Sequence, residues 1–384
     1  MISLVNDTIN KADIDELIKW LSTYPRLTKG PVTLEFEAKW AKWLGSKYTV
    51  FVNSGSSANL LMLYALIAGK KLKNNKIVIP GLCWATDLSP VFQFNLEPIL
   101  CDINLDTLSV DLNELENIFK TETPSTLMLV SILGFTPDVK AIKELCDKYD
   151  VILLEDNCES LGSEYDGVKL GNFGVMASYS TYFGHHISTI EGGIVATNDD
   201  ELYNILLSIR SHGWDRDLQP EARKELREKY NIDEFNSLYT FYYDGFNVRS
   251  TDLQAFIGLG QLDKLDYICE RRNKNFLYLQ ENIKNDFWKP KPLDNTFTSN
   301  FCYPIIHPKK FEIVQALKDN NVEVRPLVCG SMGNQPFYTS RYGNKALTNC
   351  DIVDAYGLYI PNNPELTKEE LDLMITTINN IINS

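Results

Sequence analysis

Apolar positions along this chain recur with two spacings that take turns. Runs with a helical period, "ADIDELIKWLSTY" and "TLEFEAKWAKWLGS", predict amphipathic helices over 12–24 and 33–46, the second stopped by Gly45. Between them and beyond lie short apolar runs bounded by turn residues: "YTVFVNS" (48–54), "KIVIP" (76–80), "EPILCDIN" (97–104), "TLMLVSILG" (126–134) and "VILLEDNCES" (151–160). These predict buried strands. "GSSANLLMLYALIAG" (55–69) and "DVKAIKELCDKYD" (138–150) predict helices, while "VMASYSTYF" (175–183) and "GGIVATND" (192–199) predict paired strands flanking a loop with two adjacent histidines. Alternating strands and helices define an α/β fold with a mainly parallel sheet.

From residue 250 the pattern changes. "STDLQAFIGLGQLDKLDYICERRNKNFLYL" predicts one long amphipathic helix over 250–279 that links two domains. "NFCYPIIH", "FEIVQALKDNNVEVRPL" and "ELDLMITTINNII" then give strand, helix, strand and helix, the pattern of a small C-terminal α+β domain. The expected division is a large domain over 1–250 and a small one over 251–384. The polar stretch "SHGWDRDLQPEARKELREKYNIDEFN" (211–236) reads either as a surface insertion or lid, or as a plain solvated helix.

Composition narrows the class. The 384 residues are 44% hydrophobic and 23% charged, as in ordinary globular enzymes. A formal net charge of -14 argues against nucleic-acid binding, which needs a basic surface. No apolar run reaches the ~20 residues of a membrane span. The N-terminus has neither the basic nor the apolar region of a secretory signal, so the cytosol is the expected compartment. The eight cysteines (83, 101, 146, 158, 269, 302, 329 and 350) include no close pair. They spell neither a zinc site, nor a disulfide framework, nor iron–sulfur spacing. No metal is expected.

Three segments carry candidate chemistry. In "NSGSSAN", small residues opening a helix present free N–H groups and hydroxyls, which makes Ser56 and Ser57 candidates for an anion; an ordinary helix start explains the same residues. In "LLEDNCES", Asp156 and Glu159 follow an apolar strand, where open α/β sheets bind ligands; a helix N-cap is the rival reading. In "SYSTYFGHH", Ser180 adds a hydroxyl, and His185 and His186 follow.

Together, "SGSSANLL", the "IP…W" segment around Trp84, "LLEDNCESLGS", "SYSTYFGHHISTIEGG" and "GFNVRSTDLQAFIGLGQLDKLD" resemble, in order and over nearly the whole chain, the sugar aminotransferase (DegT/DnrJ/EryC1/StrS) family. The resemblance implies the fold type I architecture of aspartate aminotransferase and the cofactor pyridoxal phosphate (PLP). It also implies a nucleotide-linked keto sugar as substrate and a homodimer with shared active sites. The family's third motif has the form Lys-x-x-x-x-x-Glu-Gly-Gly. Counting back six from Glu191 lands on His185, so the cofactor-holding lysine is replaced. Within the family this resembles the sugar 3-dehydratases. One kind of these needs an iron–sulfur cluster and a reductase, and the scattered cysteines point to the cluster-free kind.

The resemblance assigns His185 as the catalytic acid–base. It places Asp156 at the cofactor's ring nitrogen, Glu159 at its phenolic oxygen and Trp84 on its face. Ser56, Ser57 and Ser180 fall to the phosphate, joined by Asn247 of a second subunit. An untethered PLP would be converted by L-glutamate to pyridoxamine phosphate (PMP). Arg216 is a candidate for the sugar nucleotide's pyrophosphate, His212 for the sugar or the glutamate carboxylate, and Arg249 for a substrate carboxylate; each also has a structural reading. His186 reads as a spectator or as an aid to its neighbour, and His307 as a surface loop residue. The expected reaction is loss of the 3-hydroxyl from a 4-keto-6-deoxy sugar carried by GDP, with ammonia and 2-oxoglutarate released. A 4-aminotransferase and a catalytically inactive PLP-binding regulator are the alternatives.

Overall fold

The computed structural model describes residues 1–383. Seven strands form the central sheet: β1 (Tyr48–Val52), β2 (Lys76–Pro80), β3 (Glu97–Cys101), β4 (Thr126–Val130), β5 (Ile152–Asp156), β6 (Met176–Ser180) and β7 (Gly193–Thr197). Their spatial order is β1-β7-β6-β5-β4-β2-β3. Only β7 runs against its two neighbours, β1 and β6; the other pairings are parallel. Strands buried on both faces need no polar alternation, which is why they read as continuous apolar runs.

Helices cover the sheet. α1 (Lys11–Leu21) carries an Asn10 capping box, and α2 (Pro31–Leu44) ends at Gly45, whose φ of 86° favours a residue without a side chain. α3 (Gly55–Ala68) starts at the end of β1 and is apolar almost all round, as its burial against the sheet requires. α4 (Ala85–Gln93), α5 (Leu112–Glu122), α6 (Val139–Lys148) and α7 (Asp200–Ile209) complete the layers. α8 (Pro220–Tyr230) has no buried residue, so this part of the polar stretch is a solvated helix.

The expected single helix over 250–279 is two. α9 (Asp252–Leu262) packs on α2, and α10 (Leu265–Asn282) runs on to the C-terminal lobe. The chain turns at Asp263–Lys264 because each segment buries its apolar side against a different partner. The Lys264 ammonium holds the turn to Asp13 Oδ2 at 2.5 Å and to the Thr8 carbonyl at 3.1 Å. Beyond α10, β8 (Tyr303–Ile306), β9 (Arg325–Pro326) and β10 (Gly357–Ile360) form an antiparallel sheet with β10 central. It is accompanied by α11 (Lys310–Asp319), α12 (Pro336–Tyr342), α13 (Thr348–Tyr356) and α14 (Lys368–Ile382). The extreme N-terminus joins this lobe: Ile2 bridges Val322, and the Leu4 N–H donates to Glu323 Oε2 at 3.0 Å. Among the described residues, no helix is long and apolar enough to cross a membrane.

Candidate active site

The C-terminal ends of the parallel strands open into a cavity of about 590 Å³, closed on the far side by the C-terminal lobe. This is where an open α/β sheet leaves room for a ligand. Its acids are Asp87, Asp156, Glu159, Glu191 and Glu323. Among the described residues, Arg325 is the only basic one lining it besides His185, and no lysine does.

One wall is the start of α3. The Ser54 side chain caps the helix by accepting from Ser57 N–H at 3.0 Å, and Ser54 Oγ also meets Ser57 Oγ at 3.0 Å. Ser57 is therefore turned to its own cap and does not line the cavity, whereas Ser54, Gly55 and Ser56 do. Gly55 is required here for space. A Cβ at this position would lie 2.8 Å from Ser180 Cβ and 3.0 Å from Cys158 Sγ. The bare backbone lets the helix N-terminus and the Ser180 hydroxyl approach one another, a corner of N–H and O–H donors of the kind that can hold an anion.

The floor is Asp156, at the end of β5 and buried to 5% exposure. It accepts from Cys158 N–H at 2.8 Å and from Asn59 Nδ2 at 2.5 Å. Trp84, 57% exposed, stands at the mouth as the N-cap of α4.

His185 lies on the loop between β6 and β7, its N–H donating to the Tyr182 carbonyl at 2.9 Å. Its ring lies 5.3 Å from that of Phe301, tilted by 33°, and its Nδ1 is buried without a hydrogen-bond partner. Burial lowers its pKa to about 4; the nearby Asp156 carboxylate opposes the shift and the Arg272 guanidinium adds to it. The loop is pinned by Thr189 N–H to Thr181 O at 2.8 Å and by Gln254 Nε2 to Glu191 O at 2.5 Å. Those contacts hold Ile190 at a φ of 69°, a costly conformation for a β-branched residue. His186 points the other way, fully buried, with Nε2 3.1 Å from the Ser299 carbonyl.

Glu159 lines the same cavity and accepts from Leu133 N–H at 2.8 Å. Burial raises its pKa to about 7, and the charge of Asp156 pushes the same way. Leu133 itself sits at a φ of 52°, held by Phe301 N–H and Asn300 Nδ2, which both donate to its carbonyl.

His212, Arg216, Asn247 and Arg249 do not line this cavity. The structure gathers them around Trp214: the His212 ring is 4.9 Å from it, and the Arg216 and Arg249 guanidinium groups lie 3.9 and 5.6 Å from its ring centre. Arg249 Nε donates to Asn247 Oδ1 at 3.2 Å, and Arg216 donates to the Leu238 carbonyl. His307, expected at the surface, is 9% exposed, its ring beside Phe287. Sequence reasoning missed Asn59, Asp87, Phe301, Glu323 and Arg325. For Asp87 a signal existed: an acid three residues after Trp84 at a helix start is a capping pattern.

The chain belongs to the DegT/DnrJ/EryC1/StrS aminotransferase family, which it matches over residues 8–379. Its fold is the aspartate aminotransferase-like fold type I. Within the family it is similar to GDP-4-keto-6-deoxy-D-mannose 3-dehydratase of Yersinia pseudotuberculosis, 35% identical over 347 residues, 87% of each chain. The solved Escherichia coli enzyme of that name with bound hydrated PLP superposes with a TM-score of 0.89 at 30% identity, covering 98% of this chain and 99% of that one. A second structure of an enzyme of that name, with a trapped PLP–glutamate geminal diamine, gives a TM-score of 0.90 at 30% identity, covering 98% and 100%.

Proposed function

We propose that this protein is a PLP-dependent 3-dehydratase. It removes the C3 hydroxyl of a nucleotide-linked 4-keto-6-deoxy sugar, with GDP-4-keto-6-deoxy-D-mannose as substrate and L-glutamate as amino donor. One observation carries the reading: His185 stands on the wall of a cavity that no lysine lines among the described residues, six positions before Glu191, where the resembling motif carries a lysine. The relatives of that activity support it.

The residues present suit the cofactor. Asp156 offers a buried carboxylate for a protonated ring nitrogen, Trp84 an aromatic face, and Gly55, Ser56 and Ser180 an anion corner for the phosphate. Ser57 would act there only by shaping the helix start. Glu159, which keeps a proton up to near neutrality, can donate to the phenolic oxygen. When bound, PLP supplies an aldehyde that takes the amino group of glutamate, giving PMP, and a ring that accepts an electron pair.

The fate of the sugar's C3–O bond rests with His185. A flexible lysine would deliver a proton to the sugar's C4 and leave an amine. A neutral imidazole, held against Phe301, can take up a proton on a free ring nitrogen and hand it to the C3 oxygen, which leaves as water. The oxidation of glutamate to 2-oxoglutarate provides the two electrons, and the water expelled from C3 is offset by one taken up in the hydrolysis that frees ammonia, so that 2-oxoglutarate, ammonia and a 3,6-dideoxy-4-keto sugar are the net products.

The Trp214 cluster, by this reading, serves the cavity of a second copy of the chain, with Asn247 at its phosphate and His212, Arg216 and Arg249 at its substrate. Exposed Phe235, Leu238, Tyr239 and Phe241 beside the cluster supply the apolar surface that such pairing would bury. Eight free thiols suit a reducing cytosol.

The test is direct. Incubate the protein with PLP, L-glutamate and GDP-4-keto-6-deoxy-D-mannose, and monitor ammonia and the sugar by NMR. A new methylene at C3 with ammonia released is the expected result, whereas a stable amine at C4 would make the protein an aminotransferase.

A further inference from the structure

Two buried carboxyls share one amide beneath the cavity. Asn59, 1% exposed on the first turns of α3, accepts from Ser178 Oγ through its own oxygen at 2.5 Å. A hydroxyl can donate or accept, so it is the two carboxylates, as acceptors, that require the amide nitrogen on their side and its oxygen toward Ser178. One N–H reaches Asp156 Oδ2 at 2.5 Å and the other Asp87 Oδ1 at 2.9 Å. The second oxygen of Asp87, Oδ2, accepts from Trp84 N–H at 2.9 Å and so caps α4.

We propose that Asp87 is a positioning residue that locks two contacts of the cofactor ring into one unit: the Asp156 carboxylate through Asn59, and the Trp84 indole through its backbone. The inference rests on the PLP reading above. Asp87 is wholly buried, and the charged groups facing it, Asp156 and Glu159, are both acids. A carboxylate without a cation is costly there: burial and Asp156 both raise its pKa, the Trp84 N–H opposes the shift, and the two N–H donors, one to each oxygen, favour the charged form. A helix cap alone could be provided by many residues in less buried positions. Only a carboxyl has two acceptor oxygens for two separate donors, and an amide in its place would set its own NH2 against one of them.

That asymmetry supplies the test. Apoprotein is titrated with PLP labelled with 15N in its ring, comparing wild type, Asp87→Asn and Asn59→Ala. Circular dichroism checks that each is folded, and the second variant cuts the relay without touching the Trp84 cap. Each change should raise the Kd for PLP by about tenfold. Each should also move the ring-nitrogen signal toward that of an unprotonated pyridine. Wild-type affinity and an unmoved signal in either folded variant overturn the proposal. A weaker Kd with an unmoved nitrogen signal also overturns it, leaving Asp87 as a cap for Trp84 alone. Failure of the wild-type protein to bind PLP defeats the cofactor reading itself and this inference with it, an outcome distinct from any difference among the variants.

Discussion

The imidazole of His185 and the ring of Phe301 lie 5.3 Å apart, one on the loop after β6 and the other at the edge of the C-terminal lobe. The contact removes water from the histidine, and desolvation is the largest cause of its lowered pKa. The lobe thereby keeps this imidazole neutral and able to accept a proton.

Phe301→Ala should therefore readmit water and move the His185 pKa from about 4 toward the ordinary value near 6.5. A base works only when deprotonated, so the acid limb of the pH–rate profile should shift upward by about one unit or more. An unshifted limb with reduced rate would mean that Phe301 only shapes the cavity.

His185→Lys should abolish dehydration, with a loss on the order of 10²–10⁴ or larger, the usual contribution of a positioned acid–base group. The new amine should also bind PLP covalently, seen as a chromophore that becomes non-dialysable after borohydride reduction. Persistent dehydration in this variant would assign the proton transfer to another side chain.

Glu159 has a folded pKa raised to about 7 by burial. A carboxyl whose folded pKa is raised gives stability that is fully present below its unfolded pKa of about 4.3 and is lost as pH climbs through 7. Glu159→Gln keeps an acceptor for Leu133 N–H and cannot ionise. Cofactor-free Glu159→Gln should therefore be more stable than wild type at pH 8, with the difference fading toward pH 4.5. Urea denaturation at the two pH values measures it, and an equal gap at both would contradict the assignment.

Gly55→Ala inserts a methyl 2.8 Å from Ser180 Cβ. Overpacking of this kind costs about 1–3 kcal/mol. It should lower the melting temperature and, by displacing the Ser180 hydroxyl, weaken PLP binding by about tenfold or more. Unchanged affinity with a lowered melting temperature would separate the phosphate corner from the packing.

Much of this molecule is written locally. The strand and helix segments of the large lobe arise from apolar period and capping residues, because those signals act within a few positions. The stop at Gly45, the pairing of β6 with β7 and the placement of Asp156 at a strand end are of this kind. That His185 stands six positions before Glu191, where the resembling motif carries a lysine, could be counted without any structure. What local pattern could not supply was contact across the sheet. Asn59 meets Asp156 97 positions away only because α3 packs over β6 and β7, and β6 lies beside β5 in the sheet order. Phe301 reaches His185 only because the C-terminal lobe folds back over the strand ends. The break at Asp263 has the same origin: the apolar period runs on through it, and the two halves separate because each finds a different surface to bury. Chain-local energetics set the elements and the chemistry of each loop, while the distances between side chains far apart in sequence, and with them the neutrality of His185 and the company of Asp156, were decided by packing.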